Sequence, residues 1–300
     1  MRRAVLALAL ACCAGSSHAF AESLRFCDRE APASARQQDR LLQFAAVVKG
    51  ALDESGARVA LVARSGQNLR RFGVRYTHAG VSLKAGAGAP WSVRQLYFAC
   101  DERRPRLFDQ GLAGFLFGID ERDLGYLSVV LLPPGEADAL ERAALDRPLA
   151  LALVAPRYSA NAYAWSLRYQ NCNQWVMELL AAAWGAEAQP AGDARAAAQR
   201  WLAQHGYAPR PVEVGSHLWM AAAAFVPWLR LDDHPQDDRF ALHFRTSMPA
   251  SIEAFVRDRV AAVRRIEFCH DGARAVIRRD GAPIADGCVP EPGDRVVAFD

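Results

Sequence analysis

The sequence predicts an α+β fold in a single domain, and three observations carry that reading. Apolar residues recur at helical spacing along 173–184, where Trp175, Val176, Leu179, Leu180 and Ala183 fall on one stripe. Residues 76–83 instead alternate: Thr77, Ala79, Val81 and Leu83 share one face, and Tyr76, His78, Gly80 and Ser82 the other. From residue 240 onward, short apolar runs are punctuated by Asp271-Gly272 and Asp280-Gly281, which read as turns between strands.

Taken in order, residues 1–21 have the parts of a secretory leader: Met1-Arg2-Arg3, an apolar run over 4–14, and a small-residue exit at Ala19-Phe20-Ala21. The expectation is an exported, periplasmic chain that begins at Phe20 or Glu22 after cleavage. The apolar run is shorter than the roughly 20 residues a membrane span needs. Cys12 and Cys13 raise a lipoprotein as the alternative, disfavoured because the residues before them make a poor acylation signal. No other stretch reaches spanning length, since the apolar residues 218–229 include Pro227 and end at Arg230. The mature domain is then 22–300, with a β extension from about 238.

Within it, 35–52 is a helix with Leu41, Leu42, Ala45, Ala46 and Val48 inward, closed by 53–56. Residues 58–63 form a strand and 64–73 a polar loop, and the alternating strand 76–83 follows. The glycines of 86–90 make a turn; with no lysine and no following helix they are no phosphate loop. In the next strand, 91–98, Val93, Gln95 and Tyr97 share a face. A strand over 128–132, a helix over 134–145 with Arg142 late, and a strand over 149–154 lead to an aromatic loop at 156–170. After the helix 173–184 come an Ala-rich helix at 192–205 and strands from 240–244 to the C-terminus.

Hydrophobic residues make up 52% and charged residues 23%, as in soluble globular chains. The formal charge of +3 includes Arg2 and Arg3, so the mature chain is nearly neutral and shows no nucleic-acid footprint. Nearly all its positive charge is arginine, the lysines being Lys49 and Lys84.

Without the leader the cysteines are Cys27, Cys100, Cys172, Cys269 and Cys288, an odd number in a compartment where disulfides persist. Cys269 and Cys288 lie among the C-terminal turns, so a bridge between them would staple neighbouring strands. Cys27 would then pair with Cys100, which leaves Cys172 free. A buried apolar thiol explains a free cysteine as well as a nucleophile does.

What sets Cys172 apart is its place at the first turn of a helix, where free backbone N–H groups surround the side chain. A helix start and an imidazole partner are two common ways to lower a thiol pKa. Of His78, His205, His217, His234, His243 and His270, His78 is the best partner, because the other face of its strand is apolar and holds the ring in place. No HExxH and no clustered histidines are present, so neither a metal nor another cofactor is expected, and no GxSxG marks a serine hydrolase.

The strings Tyr76-Thr77-His78-Ala79-Gly80-Val81 and Asn171-Cys172-Asn173-Gln174-Trp175-Val176 resemble the circularly permuted papain-like superfamily of NlpC-type hydrolases and lecithin:retinol acyltransferase relatives. The likeness covers about residues 58–185. Over nearly the whole mature chain, Arg64-Ser65-Gly66-Gln67, Trp91-Ser92-Val93-Arg94 and Arg245-Thr246-Ser247-Met248-Pro249 resemble an exported bacterial family of unknown function. The superfamily resemblance implies a permuted papain-like fold, an antiparallel sheet packed on the helix bearing Cys172, and thiol hydrolase or acyltransferase chemistry. It implies Cys172 as nucleophile, His78 as base, and a third residue orienting the ring. That third position is often a second histidine, and here it is Gln95, which bonds an imidazole without stabilising its charged form. The backbone N–H of Cys172 is the default oxyanion donor, with Tyr163 or Asn171 as side-chain candidates. Asn173 and Gln174 read as helix-start contacts. An envelope location points to peptidoglycan peptides or lipid-linked acyl groups as substrates. Two other readings stay open: a non-catalytic envelope binding or assembly protein that keeps the fold, and a redox or scaffold protein whose odd thiol pairs with a partner.

Overall fold

The computed structural model describes residues 33–84, 86, 88–99, 102–185, 194–223 and 226–300. The expected leader and Cys12, Cys13, Cys27 and Cys100 lie outside the described residues, and with them the expected Cys27–Cys100 bridge.

The chain opens with helix α1 (Ala35–Glu54), which starts where Ser34 and Gln37 cap each other reciprocally. Its buried stripe is Leu41, Phe44, Ala45, Val48, Ala51 and Leu52, so Leu42 and Ala46, expected inside, are exposed. The stripe is set by Phe44, the largest apolar residue on the helix, and Leu42 lies about 100° around from Leu41.

Eight strands then build one antiparallel sheet: β1 (Val59–Arg64), β2 (His78–Lys84), β3 (Trp91–Ala99), β4 (Arg104–Gly111), β5 (Gly125–Leu131), β8 (Arg264–His270), β9 (Arg274–Arg279) and β10 (Arg295–Ala298). The order is β10-β9-β8-β5-β1-β2-β3-β4. The C-terminal strands thus continue the main sheet, because β8 pairs along β5 from Gly125–His270 to Leu131–Arg264. A separate ribbon joins β6 (Pro211–Glu213) to β7 (His243–Arg245).

Helices cover both faces of the sheet. One face carries α3 (Pro134–Leu145), α5 (Cys172–Trp184), α6 (Ala194–Gln204) and α9 (Pro249–Arg259), packed on Leu61, Ala79, Val81, Leu83, Leu96 and Val130. The other carries α1 and α2 (Leu112–Phe117), packed on Ala60, Val62, Val93, Leu127, Val129 and Phe268. Strand parity decides the face, so the alternating residues of β1, β2, β3 and β5 serve two cores at once.

Three expectations are corrected. Residues 149–154 are not a strand: α4 (Arg147–Ala152) forms there because Asp146 caps its N-terminus by accepting from the Leu149 N–H, with a proline in the first turn. A short apolar run fits either state, and the cap decides. The strand expected at 240–244 shrinks to β7, since Asp237 and Asp238 sit in the first turn of α8 (Gln236–Ala241) and favour a helix. The C-terminal strands are also preceded by α9, which begins on Pro249. One further short helix, α7 (His217–Ala223), follows β6. No helix among the described residues is long and apolar enough to cross a membrane.

Cys269 and Cys288 form the expected disulfide, closing a loop over a sequence separation of 19. Both are fully buried beside Tyr126 and Ile284, and a loop of that length contributes about 3 kcal/mol by restricting the unfolded chain. Cys172 is free and buried.

Candidate active site

The site forms where two strands part. The β2–β3 ladder runs from Lys84–Trp91 to Val81–Arg94 and stops there, which leaves the start of β2 without its neighbour. The N-terminus of α5 takes that place. The Asn173 side chain accepts from the Ala79 N–H at 2.9 Å and donates to Thr77 O at 3.2 Å, so one amide bonds to β2 as a strand would. Asn171 caps the helix, its Oδ1 accepting from the Gln174 N–H at 2.7 Å. Its Nδ2 is committed to Ala160 O, Thr246 Oγ1 and Ser247 O.

This arrangement sets the Cys172 thiol at the start of α5 beside β2, near the backbone amides of Asn173, Ala79 and Cys172 itself, although the Ala79 N–H is donated to Asn173 Oδ1. These donors, and the charge of Arg64, favour the thiolate. Burial opposes them and wins: the thiol is pushed up to about 11. The helix start was expected to lower it, and the correction follows from the packing of α5, in which the first ten residues are all buried.

His78 is the residue next to Ala79, but its side chain points to the opposite face of the sheet. Its ring stacks on Tyr97 at 4.7 Å between centroids and lies 5.9 Å from Phe115 of α2. Thiol and imidazole therefore stand on either side of the start of β2, and no direct hydrogen bond joins them among the described residues. Gly80 makes room for β3. A Cβ there would lie 2.6 Å from Val93 Cγ1 and 3.0 Å from Arg94 O.

Gln95 is where the strand parity placed it. Its Oε1 lies 2.6 Å from His78 Nε2, and both side chains are buried. The Gln95 amide donates in turn to Gln110 Oε1, so its oxygen is the end that accepts from His78. This fixes the proton on Nε2 and leaves Nδ1 with the ring's lone pair. Burial and the Arg64 charge lower the imidazole to about 3 against the bond to Gln95, so it is neutral at pH 7.

Sequence reasoning missed Arg64, which lay in a string read only as a family likeness. It is 5% exposed. One nitrogen donates to Gly118 O, another to Tyr97 Oη at 2.7 Å, and the guanidinium lies over Phe115 at 5.3 Å. A Cβ at Gly118 would overlap the guanidinium. The signal that could have found Arg64 is parity, since it continues the Ala60, Val62 face of β1.

The remaining candidates sit apart from this centre. Asn171 is occupied as a cap. Tyr163 bridges to Thr246, has Arg245 over its ring at 5.3 Å and His234 at 5.5 Å, and thus belongs to the loop that packs on the β6–β7 ribbon. Gln174 donates to Ala164 O and Glu178, as a helix-start contact. Among the described residues no group of histidines, cysteines and carboxylates is placed to hold a metal ion.

Over residues 51–256 the chain matches the family described as an uncharacterized protein conserved in bacteria, DUF2145. The chain belongs to that family. The match begins in α1 and ends in α9, so it includes Arg64, His78, Gln95 and Cys172. No curated protein and no solved structure matches the chain.

Proposed function

We propose that this member of DUF2145 is an exported thiol hydrolase or acyltransferase with a permuted papain-like arrangement, acting on an amide or ester of the cell envelope. The observation that carries the reading is the free thiol of Cys172 at the start of α5, beside Ala79 of β2, the residue that follows His78. In this reading His78 is the base through Nδ1, which requires its ring to leave the stack on Tyr97 and reach the sulfur, and the thiolate attacks the carbonyl. The Cys172 N–H and its neighbours are donors for the oxyanion, and water or an amine resolves the acyl-enzyme. Both side chains are neutral at rest, so the nucleophile forms when substrate engages rather than as a standing ion pair.

That same neutrality favours a second reading, a binding or assembly protein that keeps the fold without turnover. Labelling by an electrophilic thiol probe at pH 7.5 separates them. The wild-type chain is expected to label at Cys172, Cys172→Ala not at all, and His78→Ala at least about tenfold more slowly. Equal labelling of wild type and His78→Ala would favour the binding protein.

A further inference from the structure

Leu218, Phe240 and Trp219 are the most exposed large apolar residues among the described ones, at 83%, 68% and 55%. The β6–β7 ribbon brings them to one of its ends. Glu213 of β6 pairs with His243 of β7, so the chain leaves the ribbon toward α7 at the end where it returns from α8. The Val214 N–H donates to Leu242 O, which carries the pairing one step further in that direction. α7 follows at once, and its seven residues include no aspartate, glutamate, lysine or arginine, so it has no charged side to turn outward. Arg71, from the loop before β2, stands against it. The guanidinium lies between two rings, 4.5 Å from the Trp219 centroid and 4.6 Å from that of Phe72. Stacking occupies its faces, and no hydrogen bond or ion pair to a described residue occupies its edge. Its N–H donors are free for an acceptor outside the protein, and phosphate fits their planar fork. Arg239, next to Phe240, is exposed and has no carboxylate partner among the described residues. Of the acids at this end, Glu213 faces His243 at 3.8 Å and Asp238 is held by Arg245. Asp237 has no cation, and the two free arginines outweigh it.

We propose that this end of the ribbon docks the protein on an anionic bilayer surface. Leu218, Trp219 and Phe240 enter the boundary between headgroups and acyl chains, and Arg71 and Arg239 meet lipid phosphate. Side chains this exposed are knobs rather than the walls of a groove. A protein partner would have to present a matching pocket to each, whereas a bilayer admits them without one, and tryptophan and arginine side by side suit its interface. α7 is about 10 Å long, so it lies on the bilayer and does not cross it. Apolar insertion and attraction to phosphate act together here, as stable surface attachment requires. The docking does not rest on the chemistry of Cys172. It does bear on where that residue sits, because β7 runs directly into Thr246 and Ser247, both bonded by the Asn171 side chain at the start of α5.

The test mixes the protein with vesicles of phosphatidylglycerol and phosphatidylethanolamine, or of phosphatidylcholine alone, and reads co-sedimentation and the quenching of tryptophan emission by acyl-brominated lipid. Residues 1–21 contain no tryptophan, so the quenching reports on the folded part of the chain. Wild type is expected to bind the phosphatidylglycerol vesicles with quenching, and Trp219→Phe to lose most of that quenching. Leu218→Ser combined with Phe240→Ser should weaken binding at least about tenfold, and Arg71→Glu should weaken it on phosphatidylglycerol more than on phosphatidylcholine. All these side chains are exposed, so the variants are expected to keep the wild-type Tm. Quenching that persists in Trp219→Phe, or binding unchanged in the Leu218/Phe240 double variant, would overturn the proposal. So would a wild-type chain that ignores both kinds of vesicle, including one that instead forms a dimer lost in Leu218→Ser, which would mark a second copy as the occupant.

Discussion

Alkylation of Cys172 by iodoacetamide is expected to rise about tenfold for each pH unit from 6.5 to 9.5 without levelling, a span of about a thousandfold, because only the thiolate reacts. The thiol is held at about 11, so the whole window lies on the rising limb. The sign follows from the competition at the sulfur: burial penalises the anion more than Arg64 and the three N–H groups favour it. His78, lowered to about 3, adds no cation in this range. A rate that plateaus above pH 7 would instead mark a thiolate–imidazolium pair and contradict the neutral resting site. Peptide mapping identifies the alkylated cysteine, and Cys269 and Cys288 are occupied by their disulfide.

The largest effect on stability is expected from Arg195→Met. Glu178 on α5 is fully buried, and Arg195 on α6 grips it through Nε at 2.8 Å and Nη2 at 2.9 Å. Gln170, Gln174 and Gln199 add amide donors to the same carboxylate. Arg195 also donates to Leu167 O and Tyr169 O, so this network fastens the loop that leads into Cys172. Removing the guanidinium leaves a buried carboxylate without its cation, at a cost of about 3–5 kcal/mol, or roughly 10 °C in Tm for a chain of this size. Glu178→Met combined with Arg195→Met removes both charges and is expected to recover most of that loss. A drop below about 1 kcal/mol in the single variant would show that the pair does not hold the loop.

The parts of this molecule that were legible in its sequence are those where one local period runs long enough to outvote its surroundings. The stripes of α1, α3, α5 and α6 were read within a few residues of their ends, and so were β1, β2, β3 and β5. The short pieces were not. Residues 149–154 lacked the length to separate strand from helix, and β4, an edge strand with Arg104, Arg106 and Asp109 on it, looks polar because it is an edge.

The site divides the same way. Gln95 and Tyr97 could be assigned to one face by counting residues, and both meet His78 there. Parity places Arg64 on a face but not its burial, which depends on Phe115 of α2 and on Gly118, the residue that caps it, and the sequence did not announce that helix. The direction of the Cys172 shift was missed for a related reason. A helix start is visible in sequence, whereas the depth to which the rest of the fold buries it is a tertiary property.

The most direct measurement of the central claim is to react the protein with an activated acetyl ester, quench within one turnover, and map the acetyl group by peptide mass spectrometry. The account predicts the added acetyl mass on the peptide that contains Cys172, formed at least about tenfold more slowly in His78→Ala and lost again on incubation as the acyl-enzyme is resolved. Acetyl found on Lys49 and Lys84, with Cys172 unmodified, would contradict it.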